Sequence, residues 1–262
     1  MSKLTIIVPI HNEKPYLRRC LNSINPPSDV EVILIDDGST DGSADIVKEY
    51  EDLPRHGFRV RTAYHREPWG VALTRQHGVT MATGNYITFL DADDELAPDA
   101  FDQMIAAIKE APDAPIIQLN HLVVKPDGSK WPRLQNRRGT YELRNLPKLW
   151  ASSCNKLFKM EAVYGISFPN IQHGEDELFV LEVLAKARRI YNSERVALYY
   201  HNDNPNSLSK STTLDDVIAE QVALLEFIDE HRGDAELCEA VRVRQTELWN
   251  NPTYKRTIGG AK

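Results

Sequence analysis

The feature that most constrains this chain is a rhythm in its first hundred residues. Apolar runs of strand length alternate with stretches of helical periodicity, and the first, second and fourth runs break off in polar clusters rich in carboxylates. Thr5–Ile10 is continuously apolar, the pattern of a strand covered on both faces. Pro15 then opens a helix with Leu17, Cys20, Leu21 and Ile24 at helical spacing, and Pro26-Pro27 stops it. Val30–Ile35 is a second strand, broken by Asp36-Asp37-Gly38-Ser39, and Asp41 or Ser43 can cap a helix that runs to Tyr50. Phe58–Ala63 reads as a third strand, Gly70–Ala82 as a helix, and Asn85–Leu90 as a fourth strand ending at Asp91. Pro98–Ala111 reads as a helix with Phe101, Met104, Ile105 and Ile108 on one face. Repeated units of this kind give an α/β fold: a mostly parallel central sheet with helices on both faces.

The second half is less regular. Pro115–Val124 has strand character, followed by a turn at Pro126-Asp127-Gly128. Residues 129–147 are polar, and the basic run of Lys130, Arg133, Arg137, Arg138 and Arg144 is expected to be a solvated loop with short strands. Trp150–Val163 fits no single pattern. Glu175–Ala187 reads as a helix and Val196–Tyr200 as a strand. Leu214–His231 is an amphipathic helix through Leu214, Val217, Ile218, Leu224, Leu225 and Ile228, and Asp234–Trp249 is a further helix.

Several classes drop out on composition. With 262 residues, the chain has room for one large α/β domain and a small appendage. A net charge of −7 argues against a large nucleic-acid footprint. Cys20, Cys154 and Cys238 are far apart and form no CxxC pair, so neither a zinc ribbon nor a disulfide framework is indicated and a reducing compartment fits. The apolar run at Leu4–Ile10 is too short for a signal peptide or a membrane span. A cytoplasmic location is expected, at most peripheral to the inner face of a membrane.

Sheets of this type hold ligands beyond the carboxyl ends of their strands. Here those ends carry His11-Asn12-Glu13, Asp36-Asp37 and Asp91-Ala92-Asp93-Asp94. Carboxylates packed this closely repel unless a cation sits among them. In extended chain, Asp91 and Asp93 point the same way, and an all-oxygen set suits Mg²⁺ or Mn²⁺ bridging to substrate phosphates. The plain alternative is a solvated turn or a cap for the helix near Pro98. Asp36 and Asp37 can accept hydrogen bonds from a nucleobase or ribose, or one of them can make an Asx-turn; Asp36 is the one expected to face a ligand. His173-Gly174-Glu175-Asp176-Glu177 precedes a helix, where acids are favoured by the helix dipole, but where a general base could also stand.

Taken in order, the motifs resemble those of the family-2 glycosyltransferases with the GT-A fold, bacterial in type. They are TIIVPIHNE, VILIDDGSTDGS, ATGNYITFLDADDEL, CNKLF at 154–158, HGEDELF at 173–179 and YYHNDNPNSLS near 199–209. The resemblance covers roughly residues 3–210 and implies a catalytic, nucleotide-sugar-binding domain over 1–210, with 211–262 as a C-terminal helical extension. It implies that Pro9, His11 and Glu13 hold the nucleotide, with Asp36 on the base and Asp37 beside it. Asp91 and Asp93 match the DxD pair that binds the metal. Ala92 between them, Arg75, Lys156 at the site rim and Glu175 join the donor set. Asp176 matches the base of inverting members, and His201 falls where related enzymes place a residue near the metal or diphosphate. The implied reaction is metal-dependent and inverting. It moves a sugar from a nucleoside-diphosphate donor, by resemblance a UDP-sugar, to a hydroxyl of a glycan or lipid-linked acceptor in cell-surface polysaccharide synthesis.

Two departures stand out. Thr74-Arg75-Gln76 replaces the family's ARN, and Arg66–Gly70 matches its glycine-containing turn only loosely. A sugar-phosphate nucleotidyltransferase would favour a Gly-rich basic loop after the first strand, which this chain lacks. A non-catalytic relative would not need Asp91, Asp93 and Asp176 together. A polyprenyl-phosphate transferase with its own membrane helices does not fit a chain without an apolar run of span length.

Overall fold

The structure, a computed structural model, describes residues 4–53, 58–132, 137–143 and 152–249, together with Lys255 and Thr257. Arg133 and Arg144 of the basic run, and Trp150, lie outside the described residues. The strands are β1 (Leu4–Ile10), β2 (Val30–Asp36), β3 (Arg59–Tyr64), β4 (Tyr86–Phe89), β5 (Glu95–Leu96), β6 (Ile116–Val124), β7 (Lys130–Pro132), β8 (Gly139–Glu142), β9 (Lys156–Lys159) and β10 (Arg189–His201). The helices are α1 (Lys14–Ser23), α2 (Ser43–Asp52), α3 (Val71–Met81), α4 (Ala100–Glu110), α5 (Met160–Val163), α6 (Glu175–Ala187), α7 (Leu208–Ser211), α8 (Leu214–Glu230) and α9 (Ala235–Trp249).

The strands form one open sheet in the order β3-β2-β1-β4-β9-β6-β10-β5, with β7 paired to β6 and β8 to β10. Every residue of β1 and β2 is buried, as their unbroken apolar runs require. They run parallel in register from Leu4↔Val30 to Ile10↔Asp36, and β4 runs parallel on the other side of β1. The acidic strand ends are therefore delivered to one edge by pairing alone. Helix α3 packs tightly over this region: a Cβ on Gly78 would lie 2.3 Å from Ile7 Cγ2, so only glycine allows that approach.

The expected sheet holds in the parallel set β3-β2-β1-β4 and again at β6-β10, but β9 is inserted antiparallel between β4 and β6. This is the segment whose mixed composition hid its type. Strand β10 also runs from Arg189, well ahead of the expected Val196. The polar stretch Asn192-Ser193-Glu194-Arg195 is a bulge with register shifts, so its alternation is lost from the sequence. The N-cap position of α2 is Gly42, and Asp41 just before it satisfies the helix start. Its Oδ1 accepts the Ser43 amide at 2.9 Å and hydroxyl at 2.7 Å, while Oδ2 accepts the Lys14 amide at 2.9 Å, tying the start of α1 to that of α2.

At the C-terminal end, α8 opens with a reciprocal capping box between Thr213 and Asp216. Its buried face is Val217, Glu220, Gln221, Leu224 and Phe227, while Ile218 and Leu225, expected inside, are exposed. Val217, Leu224 and Phe227 of α8 and Leu237, Val241 and Leu248 of α9 join the same hydrophobic core as the sheet. The three cysteines are unpaired and buried. Among the described residues, no helix is long and apolar enough to cross a membrane.

Candidate active site

The loops after β1 and β2 are laced together by the polar residues of the second. The Asn12 amide donates to Ser39 Oγ at 3.0 Å, and the Glu13 amide to Ser43 Oγ at 3.0 Å. Asn12 sits at φ 55, a left-handed conformation asparagine tolerates, and its side chain accepts from the Thr40 amide at 2.8 Å. His11 Nδ1 lies 2.7 Å from the Asp37 carbonyl. Pro9 is buried within β1.

The two aspartates at the end of β2 have separate employments. Asp37 is saturated: His65 Nδ1 stands 2.6 Å from Oδ1, and the amides of Trp69 and Gly70 donate at 2.8 and 2.9 Å. Asp37 thus fixes the turn that launches α3. Asp36 accepts the Ser39 amide, three residues on, on Oδ1 at 3.1 Å and so closes the loop after β2, while its buried Oδ2 has no protein partner. A buried carboxylate oxygen without a donor is costly, and a ligand N–H or O–H would satisfy it. Asp36 thus serves the loop and leaves one oxygen for a ligand.

Beyond β4 the chain turns at Asp91–Asp94, closed by the Asp94 amide on the Asp91 carbonyl at 3.0 Å. Asp93 accepts from Asn204 Nδ2 at 2.9 Å, and the same amide reaches Glu13 at 3.4 Å. Burial, then Asp93 and Asp91, push the Glu13 carboxyl up to about 7. Burial and Asp91 likewise raise Asp93. The carboxylates of Glu13, Asp91 and Asp93 thus repel one another across two strand ends, a repulsion a divalent cation would relieve; their oxygens would have to draw closer to share one ion, and an all-oxygen set suits Mn²⁺ or Mg²⁺. Ala92 is buried beneath them. The adjoining Asp94 is turned into the fold, 1% exposed, and receives the His201 amide at 2.8 Å.

His201 does not join that cluster in this structure. Its Nε2 stands 2.5 Å from Glu95 Oε2, because β10 pairs antiparallel with β5 and sets the two side chains together. The loop just beyond supplies the groups that do arrive, and single-residue motif matching missed them. Asn204 holds Asp93, and Asp203 accepts Arg19 at 2.7 Å while Arg19 also donates to the Asp93 carbonyl at 2.6 Å. Asn204 lies inside a motif already noticed. Arg19 is one polar position of α1 among several and carries no such signal.

Glu175 and Asp176 meet Asp91 through one side chain. Arg75, on α3 and 4% exposed, places Nη2 2.8 Å from Asp91 Oδ1 and Nη1 2.5 Å from Glu175 Oε1 and 2.8 Å from Asp176 Oδ1. Asp176 further accepts the Ser153 amide at 3.1 Å and hydroxyl at 3.0 Å. Burial and the neighbouring Asp176 push the Glu175 carboxyl up, whereas Asp176 retains 18% side-chain exposure. Lys156 is not at a rim. It is fully buried, with Nζ on the Ser152 carbonyl at 2.7 Å and Asn155 Oδ1 at 2.9 Å, and burial lowers it to about 7 against the pull of Asp176. An aromatic stack also escaped the sequence reading: His65 lies 3.7 Å from Trp69, centroid to centroid, beside Asp37.

Residues 5–165 match the family model described as glycosyl transferase family 2. The putative glycosyltransferase EpsH of Bacillus subtilis (strain 168) is 27% identical over 220 residues, covering 78% of this chain and 62% of EpsH. The chain thus spans less than two thirds of that relative's length. Among solved structures, S. aureus TarS 1–349 in complex with UDP-GlcNAc superposes with a TM-score of 0.72 at 20% identity, covering 98% of this chain and 80% of TarS 1–349. The mannosyltransferase PcManGT from Pyrobaculum calidifontis, in complex with GDP-Man and Mn²⁺, gives 0.57 at 16% identity, covering 97% and 82%. The expected GT-A architecture is borne out by the fold shared with TarS.

Proposed function

The chain belongs to glycosyl transferase family 2, and from that premise we propose that it transfers a sugar from a UDP-sugar, with inversion, to a hydroxyl of a glycan or lipid-linked acceptor in surface polysaccharide synthesis. The observation that carries this reading is the mutual repulsion of Glu13, Asp91 and Asp93, which a cation would relieve, beside an Arg75 guanidinium that ties Asp91 to Asp176, with Asp36 Oδ2 left unsatisfied. Asp91 and Asp93 would hold Mn²⁺ or Mg²⁺, which when bound neutralises the diphosphate leaving group. His201 becomes a ligand only if it leaves Glu95. Asp36, flanked by Pro9, His11 and Asp37, accepts a nucleobase N–H. Asp176, more open than Glu175, takes the proton from the attacking hydroxyl. UDP-GlcNAc in TarS and Mn²⁺ in PcManGT support the donor class and the cation. Buried thiols fit a reducing cytoplasm. The division into a catalytic domain over 1–210 and an extension over 211–262 is part of the same proposal.

A nucleotidyltransferase is disfavoured by a specific contact set. The amides of Asn12, Glu13 and Lys14, which would have to cradle a triphosphate, already donate to Ser39, Ser43 and Asp41. The test is a melting screen of UDP, GDP, dTDP, CDP and ATP with and without Mn²⁺. A ligand that binds only the native state raises the melting temperature by mass action. A Mn²⁺-dependent rise with UDP is expected; no rise with any nucleoside diphosphate would overturn the reading.

A further inference from the structure

We propose that the C-terminal helices are a working part of the active site, with Glu220 on α8 and Arg244 on α9 acting as positioning residues for the turn that carries Asp176. This rests on the reading of Asp176 as the base. Helix α6 begins at Glu175, and its N-cap is Gly174, which has no side chain with which to cap. The first turn of such a helix has amides without intrahelical partners and opens easily unless something outside holds it. Here the holding comes from two later helices, one on each side of the catalytic carboxylate.

On the near side, His173 Nδ1 pairs with Glu220 Oε2 at 2.9 Å, and Glu220 is 1% exposed. Gly174 adopts φ +84, and a Cβ there would lie 2.5 Å from Glu220 Cγ. The glycine is thus required twice, once by its backbone conformation and once by the approach of α8. On the far side, Glu177 receives Arg244 through two nitrogens, Nε at 2.8 Å and Nη2 at 3.1 Å. That fork fixes direction as well as distance. Between these anchors, Glu175 and Asp176 face Arg75 and Ser153. The run His173-Gly174-Glu175-Asp176-Glu177 is therefore gripped at its ends by the extension and at its centre by the catalytic domain. Each of its acids has a cationic partner from another helix, Arg75 for Glu175 and Asp176 and Arg244 for Glu177, which simple helix-dipole compensation would not need.

Glu220 is buried and paired with His173, and Arg244 is paired with the buried Glu177, so loss of either should loosen this turn before it loosens the sheet. The experiment compares the full chain with Glu220→Gln, Arg244→Met and Arg244→Lys, with Asp176→Asn alongside. Amide hydrogen exchange is read for residues 174–178 and for β1 and β4, together with melting temperature, UDP binding in Mn²⁺ and kcat. Exchange at 174–178 should quicken about 10-fold or more in Glu220→Gln and Arg244→Met, with β1 and β4 unchanged. Misplacement of the base should lower kcat by about 10-fold or more while UDP binding stays within about twofold. Arg244→Lys should recover part of both losses. Unchanged exchange at 174–178 in both variants would overturn the proposal, as would a rise spread evenly through the chain with a fallen melting temperature, which marks support of the fold alone. If Asp176→Asn turned over like the wild type, the base assignment would fall, and the local exchange would still decide whether the helices grip this turn.

Discussion

Arg75 Nη1 stands 2.8 Å from Asp176 Oδ1 at the heart of the site, and the same guanidinium reaches Asp91 at an equal distance. The end of β4 and the start of α6 are far apart in sequence, so this one cation holds Asp91 and Asp176, the proposed metal ligand and proposed base, in a common frame. Burial opposes its charge, and Asp176, Asp91 and Glu175 together hold its pKa well above the ordinary arginine value.

Removing that cation should be severe. Arg75→Met leaves three neighbouring carboxylates without their counter-charge, and breaking a buried ion pair from one side costs about 3–5 kcal/mol. The melting temperature should fall by about 6–20 °C, at about 2–4 °C per kcal/mol for a chain of this size. Arg75→Lys keeps a charge but not the fork, so it should lose less. A differential scan of the two variants checks the order; equal and small losses would show that the guanidinium is not what holds the site.

Asp176→Asn keeps the shape of the side chain, and its one carbonyl oxygen can still receive the Ser153 hydroxyl and Arg75 while the Ser153 amide loses its acceptor. It cannot accept a proton from an acceptor hydroxyl. Turnover should drop by at least about 100-fold, the usual scale for a general base, while the melting temperature stays near that of the wild type. Steady-state kinetics with near-normal kcat in a fully folded variant would reject the assignment.

Much of this site was legible before any coordinates, and what was not has physical causes. The three acidic strand ends could be placed because period-two and period-3.6 patterns fix where strands stop, and parallel pairing then puts the stops side by side. The sequence points to Asp36 as the one facing a ligand, but the employment of Asp37 could not be read, since it depends on His65 and the Trp69-Gly70 amides arriving from elsewhere in the chain. Lys156 misled for a related reason. A lysine in a polar-looking segment reads as surface, and only the antiparallel insertion of β9 between β4 and β6 buries it. Arg19, Asn204, Glu220 and Arg244 act through long-range contacts that local periodicity does not encode.

The cation site makes its own prediction. Asp93→Ala removes one of the proposed ligands, so the Mn²⁺-dependent rise in melting temperature with UDP should vanish. Asp94→Asn is the contrast: Asp94 is buried and accepts the His201 amide, a role the asparagine oxygen keeps, so this variant should leave Mn²⁺ dependence in place. A persisting Mn²⁺-dependent shift in Asp93→Ala would reject the ligand assignment.

Lys156 gives the chain a stability profile with a definite slope. Burial lowers its pKa from 10.5 to about 7, so between those values the unfolded chain binds a proton that the folded chain does not. Stability must then rise with pH across that window, by at most about 1.4 kcal/mol per pH unit from this group. Below about 7 both states are protonated, and the cost of burying the charge is present in full. Lys156→Met removes the titration, and the difference between variant and wild type should change steadily from pH 7 towards 10, shifting in the wild type's favour as the pH rises. Urea unfolding at several pH values reads this directly. Parallel curves for the two proteins would mean that Lys156 keeps its proton inside the fold, with Asp176 offsetting its burial.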